Sequence, residues 1–165
     1  MKKQVIILIG LKGSGKTYIG SLLQEKLYIK FFRVENVWLS LKSERLTKEY
    51  ILEGFNLVEQ EIDRLLLNSD RITIESTGTT VYFGIFIDRL RTKYDLKLVK
   101  IRTSTELCLR RVKSRDSSIH VPISDDIVEQ INRDALKVDL KYDIIIDNEK
   151  SSDDEILENF QKILN

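Results

Sequence analysis

Eight consecutive residues, Gly10-Leu11-Lys12-Gly13-Ser14-Gly15-Lys16-Thr17, match the spacing G-x-x-x-x-G-K-[ST] at every specified position. Three of the chain's seven glycines fall in this stretch. Glycine there lets the backbone wrap closely, so that successive N–H groups point inward and cradle phosphate oxygens. The Lys16 ammonium would reach the β- and γ-phosphates of a nucleoside triphosphate, and the Thr17 hydroxyl would be a Mg²⁺ ligand. Gly10, Gly13, Ser14, Gly15, Lys16 and Thr17 are therefore the expected phosphate-binding set, with Lys12 inside the cradle raising the local potential. Farther along, Arg111 and Arg115 are four apart, share one face of a helix, and could grip the same polyphosphate. Fixed guanidinium groups suit the charge left on equatorial oxygens during phosphoryl transfer. Arg110 has Glu106 four residues before it and reads as an ordinary helical ion pair. Two acids, Glu35 and Glu75, follow β-branched or aromatic runs and so would sit at strand ends.

A phosphate cradle needs a strand-to-helix junction, where the helix N-terminus adds its partial positive charge. The sequence supplies one: Gln4 to Ile9 reads as a buried strand, and from about Gly15 the residues Ile19, Leu22, Leu23 and Leu27 share a helical face. Strands are then expected over 31–34, 71–74, 96–101 and 142–146, with helices over 47–68, 82–93, 104–115 and 153–164 between and after them. Residues 115–123, polar and holding the only proline, read as a loop. Ser124 caps a further helix with Asp125 and Asp126 in its first turn, and Ile123 and Val128 stand at the staple positions. Strands separated by helices imply a parallel sheet covered on both faces, here a three-layer α/β/α sandwich with a five-stranded parallel sheet. Ligands of such sheets bind at the carboxyl ends of the strands.

The 165 residues contain no linker or repeat and fit a single domain over 1–165. Lys plus Arg number 27 against 26 Asp plus Glu, a net charge of +1. That balance argues against coating a long phosphate backbone, so nucleic acid is not an expected partner. The one cysteine, Cys108, excludes an internal disulfide and lies with Val112 on an apolar helical face. The opening apolar run is too short for a secretory signal, and no stretch approaches the roughly 20 apolar residues of a membrane span. The expectation is a cytoplasmic protein without a membrane anchor. Trp38 and Tyr82-Phe83-Gly84-Ile85-Phe86 read as packing aromatics, and His120 as a surface-loop residue.

The chain resembles the P-loop kinases of the nucleoside monophosphate, shikimate and gluconate kinase group over nearly its whole length. The resemblance rests on the Gly10 to Thr17 loop, Glu35, Ile72-Thr73-Ile74-Glu75 with Ser76-Thr77-Gly78, the run Leu107 to Asp116, and Tyr142 to Asn148. It implies the nucleoside/shikimate kinase-like fold with a lid, here about 111–123, that closes over ATP. It implies an ATP- and Mg²⁺-dependent kinase moving the γ-phosphoryl group to a hydroxyl of a small-molecule acceptor. By the same resemblance Arg111 and Arg115 act on the phosphates from the lid, and Glu75 orders Mg²⁺ through water. Glu35 then faces the acceptor hydroxyl and takes its proton, Gly78 and Arg133 lie on the acceptor side, and Asp147 and Asn148 pass the adenine. Shikimate kinases carry Phe-Arg-x-x-Glu and a triple glycine, whereas this chain has Phe55-Asn56-Leu57-Val58-Glu59 and Ser76-Thr77-Gly78. An uncharged amide cannot make the bidentate contact of arginine with a carboxylate. The acceptor is thus open, and a nucleoside monophosphate or a polynucleotide 5′-end are alternatives. A non-catalytic, ATP-gated binding module is the reading from another class; a competent acid at Glu35 separates the two.

Overall fold

In the computed structural model, which describes residues 2–41, 47–115 and 124–164, the apolar run that opens the chain is the middle of the sheet. This strand, β1 (Gln4–Ile9), is buried at all six positions. Both its faces must therefore be covered, which a parallel sheet clad in helices provides. The chain continues through α1 (Lys16–Leu27), β2 (Lys30–Phe32), α2 (Glu35–Ser40), α3 (Lys48–Leu65), β3 (Arg71–Ser76) and α4 (Phe83–Lys93). It ends with β4 (Asp95–Arg102), α5 (Thr105–Lys113), α6 (Asp125–Leu136), β5 (Ile144–Asp147) and α7 (Asp153–Gln161). The five strands are all parallel, in the order β2-β3-β1-β4-β5.

Alternate residues of β1 feed two cores, as the period of two requires. Val5, Ile7 and Ile9 pack with Phe55, Val58 and Ile62 of α3 and with Phe83, Phe86 and Leu90 of α4. Ile6 and Leu8 pack on the other face with Ile19 and Leu23 of α1 and Ile156 and Phe160 of α7. The architecture is the expected three-layer sandwich. Among the described residues, no helix is long and apolar enough to cross a membrane.

Three local features bear on the site. First, β2 stops at Phe32, two residues short of its expected end, because a helix not foreseen from sequence begins at Glu35. At six residues α2 is too short for apolar periodicity to reveal it. Trp38 anchors it: its ring meets Phe55 edge-on with centroids 5.6 Å apart. The same ring occupies the space of a Cβ on Gly54, which would stand 1.9 Å from Trp38. Second, β3 runs on to Ser76, so Glu75 lies within the strand and not beyond it. Third, α3 and α7 have firm starts. The Thr47 hydroxyl accepts the Tyr50 N–H, and Ser152 and Glu155 form a reciprocal capping box; such a cap is worth about 1 kcal/mol. Ser124 precedes α6 as expected but makes no side-chain cap bond, and Ile123 lies outside the described residues.

Candidate active site

The loop between β1 and α1 sits at the carboxyl end of the central strand. Gly13 and Gly15 have φ of +89° and +95°, conformations that side chains rarely adopt. Their surroundings exclude a side chain as well. A Cβ on Gly13 would meet the Cys108 carbonyl of α5 at 2.3 Å, and one on Gly15 would meet Asn148 Nδ2 at 2.0 Å. Gly10 packs against the Ile101 carbonyl of β4 in the same way, at 2.6 Å. Lys16 is 8% exposed, and its Nζ donates to the carbonyls of Gly10 (2.9 Å) and Leu11 (2.7 Å). Burial pushes its pKa down to about 8 against the opposing pull of Glu75. Burial also lowers that of Lys12, opposed by Glu35. The Ser14 side chain is fully buried, and its hydroxyl oxygen has no hydrogen-bond partner among the described residues. A glycine-lined cradle with a buried cation and an unsatisfied hydroxyl fits a polyphosphate.

Thr17 Oγ1 donates to Glu75 Oε2 at 3.0 Å, the bond bridging α1 and β3. A hydroxyl and a carboxylate side by side are hard oxygen donors. They suit Mg²⁺, which takes one or two protein oxygens and otherwise keeps water and substrate phosphate oxygens. Arg111 Nη1 donates to the Gly13 carbonyl at 3.3 Å. Arg115, just past α5, adds to the lowering of Lys12 and Lys16, a smaller effect than burial. Arg110 pairs with Glu106 at 4.0 Å on the exposed face. Cys108 is fully buried, and burial raises its thiol pKa. Residues 116–123 of the expected lid, His120 included, lie outside the described residues.

On the β2–β3 side, Glu35 opens α2, with the Arg33 guanidinium 3.7 Å away. It is near enough to Lys12 to draw that group's pKa up. Gly78, φ +75°, follows β3 with its N–H on Ser76 Oγ; a Cβ there would touch Val138, Ile9 and Phe83. Arg133 stands apart from these groups, on the exposed surface of α6, paired with Glu129 (3.8 Å) and bonded to Gln130 (2.9 Å). Asn56 also looks elsewhere: its Oδ1 accepts from Arg89 of α4 at 3.1 Å. Its neighbour Glu59, 5% exposed, pairs with Arg89 (2.5 Å) and Lys93 (2.8 Å).

Of three further residues at the loop, Asn132 and Thr103 were not singled out from the sequence, and Asn148 was named there only as passing the adenine. Asn132 of α6 bonds Lys12 through both ends of its amide. Thr103 Oγ1 and Asn148 Nδ2 both donate to the Ser14 carbonyl, at 2.9 and 2.8 Å. The sign available for Asn132 was its place four residues after Val128 on the buried face of an amphipathic helix. Thr103 and Asn148 carried only their positions just past strand ends.

No protein-family model matches the chain. A shikimate kinase of Clostridium botulinum (strain Alaska E43 / Type E3) is 28% identical over 92 residues, 54% of this chain and 55% of that protein. The chain thus spans about half the length of that relative. A shikimate kinase of Thermodesulfovibrio yellowstonii is 25% identical over 162 residues, covering 95% of this chain and 92% of that one. Among solved structures, a sugar kinase from Janibacter sp. HTCC2649 superposes with a TM-score of 0.70 at 18% identity, covering 99% of this chain and 95% of that one. At that identity the likeness shows the fold.

Proposed function

We infer that this chain, a small P-loop kinase of the shikimate and gluconate kinase-like group by motif and fold, transfers the γ-phosphoryl group of ATP to a hydroxyl of a small molecule. The observation that carries the reading is the convergence at the carboxyl end of the sheet of a buried lysine bonded to two loop carbonyls, a hydroxyl–carboxylate pair and the carboxylate of Glu35. Lys16 exchanges its two carbonyl partners for β- and γ-phosphate oxygens, a charge-assisted contact that its burial strengthens. The backbone N–H groups of the loop and the α1 N-terminus hold the remaining phosphate charge. Thr17 would hold Mg²⁺ directly and Glu75 through water, and the ion would supply neutralisation of the polyphosphate charge. Arg111 and Arg115 face the equatorial oxygens.

Glu35 stands on the acceptor side. As the acceptor oxygen bonds to phosphorus and the bond to the ADP oxygen breaks, the hydroxyl proton passes to the Glu35 carboxylate. The site works by positioning and charge stabilisation, so an ordinary carboxylate suffices as base. Gly78, whose positive φ makes the turn after β3, lies on the same side. Neither Asn56 nor Arg133 presents a cation here, so the acceptor is assigned only as a small hydroxyl compound.

Labelled ATP offered with pooled hydroxy acids, sugars and nucleoside monophosphates tests this. Transfer to an acceptor is expected. Glu35→Gln should keep ATP affinity yet lose about a hundredfold or more in turnover, the scale of a general base. ATP binding with no transfer to any acceptor would leave a binding module instead.

A further inference from the structure

The Lys12, Gly13 and Ser14 carbonyls of the phosphate loop are held by side chains of distant elements. Asn132, 1% exposed, brackets one residue: its Oδ1 accepts the Lys12 N–H at 2.8 Å and its Nδ2 donates to the Lys12 carbonyl at 3.2 Å. The amide side chain carries donor and acceptor on one planar group, and the two backbone partners fix which end is which. In a trans peptide the N–H and C=O point in opposite directions. A grip on one of them therefore aims the other.

The Leu11–Lys12 peptide displays the result. Its N–H is on Asn132, and its carbonyl, turned to the inside of the loop, accepts from Lys16 Nζ (2.7 Å) and the Ser14 N–H (3.1 Å). The Lys12–Gly13 peptide is gripped by its carbonyl instead, so its polarity is reversed. Its N–H, on Gly13, is the group turned inward. The Ser14–Gly15 peptide repeats the arrangement, with Thr103 and Asn148 both on the Ser14 carbonyl and the Gly15 N–H on the opposite side.

We propose that Asn132 is a positioning residue of the phosphate site: by gripping both polar groups of Lys12 it aims the Gly13 N–H at the polyphosphate. Asn148 does the same for Gly15, sharing the work with Thr103. Both asparagine amides act through the loop backbone. Each fixes a peptide plane before binding, so that the amide donor needs no reorientation when phosphate arrives. This inference rests on the nucleotide reading of the site given above.

Asn132→Leu removes both bonds at similar volume and without adding charge near phosphate. Its affinities for ATP and ADP should fall about tenfold, the scale of one hydrogen bond to a charged group, with affinity for AMP or adenosine unchanged. KM for ATP should rise while KM for the acceptor holds, a split that general loosening of the fold would not give. Asn148→Leu should lose less, since Thr103 still holds Ser14. Equal ATP affinity in Asn132→Leu and the unaltered protein overturns the proposal, provided Lys16→Ala abolishes binding. If the unaltered protein binds no ATP, the nucleotide reading fails and takes this one with it. Should Asn132→Leu not fold, amide NMR of the unaltered protein decides. On adding ADP the Gly13 amide should shift more than that of Lys12, which stays on Asn132, and an unmoved Gly13 amide overturns the proposal.

Discussion

Asn56, in the seam between α3 and α4, stands where the shikimate kinase pattern carries arginine. Asn56 could be read from sequence as the loss of an arginine, but its partner Arg89 could not. The seam gathers Glu59, Asp63, Arg89, Lys93 and Tyr94 into one network, whose two halves, one on α3 and one at the end of α4, lie too far apart in sequence for spacing to connect. Tyr94 donates to Asp63 Oδ1 at 2.5 Å, and Lys93 donates to Oδ2 at 2.9 Å. Burial pushes the Asp63 carboxyl upward, but these two bonds outweigh it and the net shift is downward. Burial, reinforced by Asp63, pushes the Tyr94 hydroxyl up to about 12. A depressed carboxyl contributes stability above its unfolded pKa, and that stability is lost as pH falls through the folded one. Tyr94→Phe should therefore cost about 1 kcal/mol at pH 7. The cost should fade as pH drops below the ordinary carboxylate range of about 3.9. Urea titrations of both proteins at pH 7 and pH 3 check it, and a gap that does not narrow counts against the Asp63 bond.

Among the elements, α2 decides where Glu35, the proposed acceptor-side acid, stands, and apolar periodicity did not reveal this helix. Its seat is a glycine on α3. Helical glycine is ordinarily worse than alanine by roughly 0.5–1 kcal/mol. Gly84 of α4, where an added Cβ would meet nothing within 4 Å, should follow that rule. Gly84→Ala is thus expected to stabilise the protein by about that amount. Gly54→Ala should do the reverse, because its methyl would drive into the Trp38 ring; overpacking of this kind costs about 1–3 kcal/mol. The displaced α2 would carry Glu35 with it, so acceptor turnover should fall while ATP affinity holds. The chain's one tryptophan gives the readout: its emission should change in Gly54→Ala and not in Gly84→Ala. A stabilised Gly54→Ala with unchanged emission would mean that α2 does not depend on that contact.

For the whole molecule, binding and folding are one equilibrium. A ligand at a hundred times its Kd stabilises the native state by about 2.7 kcal/mol. For a domain this size that corresponds to a rise in Tm of roughly 5–10 °C. ATP with Mg²⁺ should produce such a rise in a thermal melt, and Lys16→Ala should abolish it while folding normally. A rise that survives Lys16→Ala would place the phosphate elsewhere. The sequence by itself determined the phosphate loop, the strand and helix flanking it, and the alternation that makes a parallel sandwich. These rest on consecutive residues or on apolar period, which neighbours in the chain encode between themselves. Only the tertiary structure decided what surrounds that loop. Sheet order brings Glu75 to Thr17 across 58 residues, Asn148 to Ser14 across 134, and Asn132 to Lys12 across 120. It also turns Asn56 into a seam and Arg133 to the surface. Those pairings follow from which strands lie side by side and which helix faces close the two cores. They are set by burial summed over the whole chain, so no local stretch of sequence specifies them.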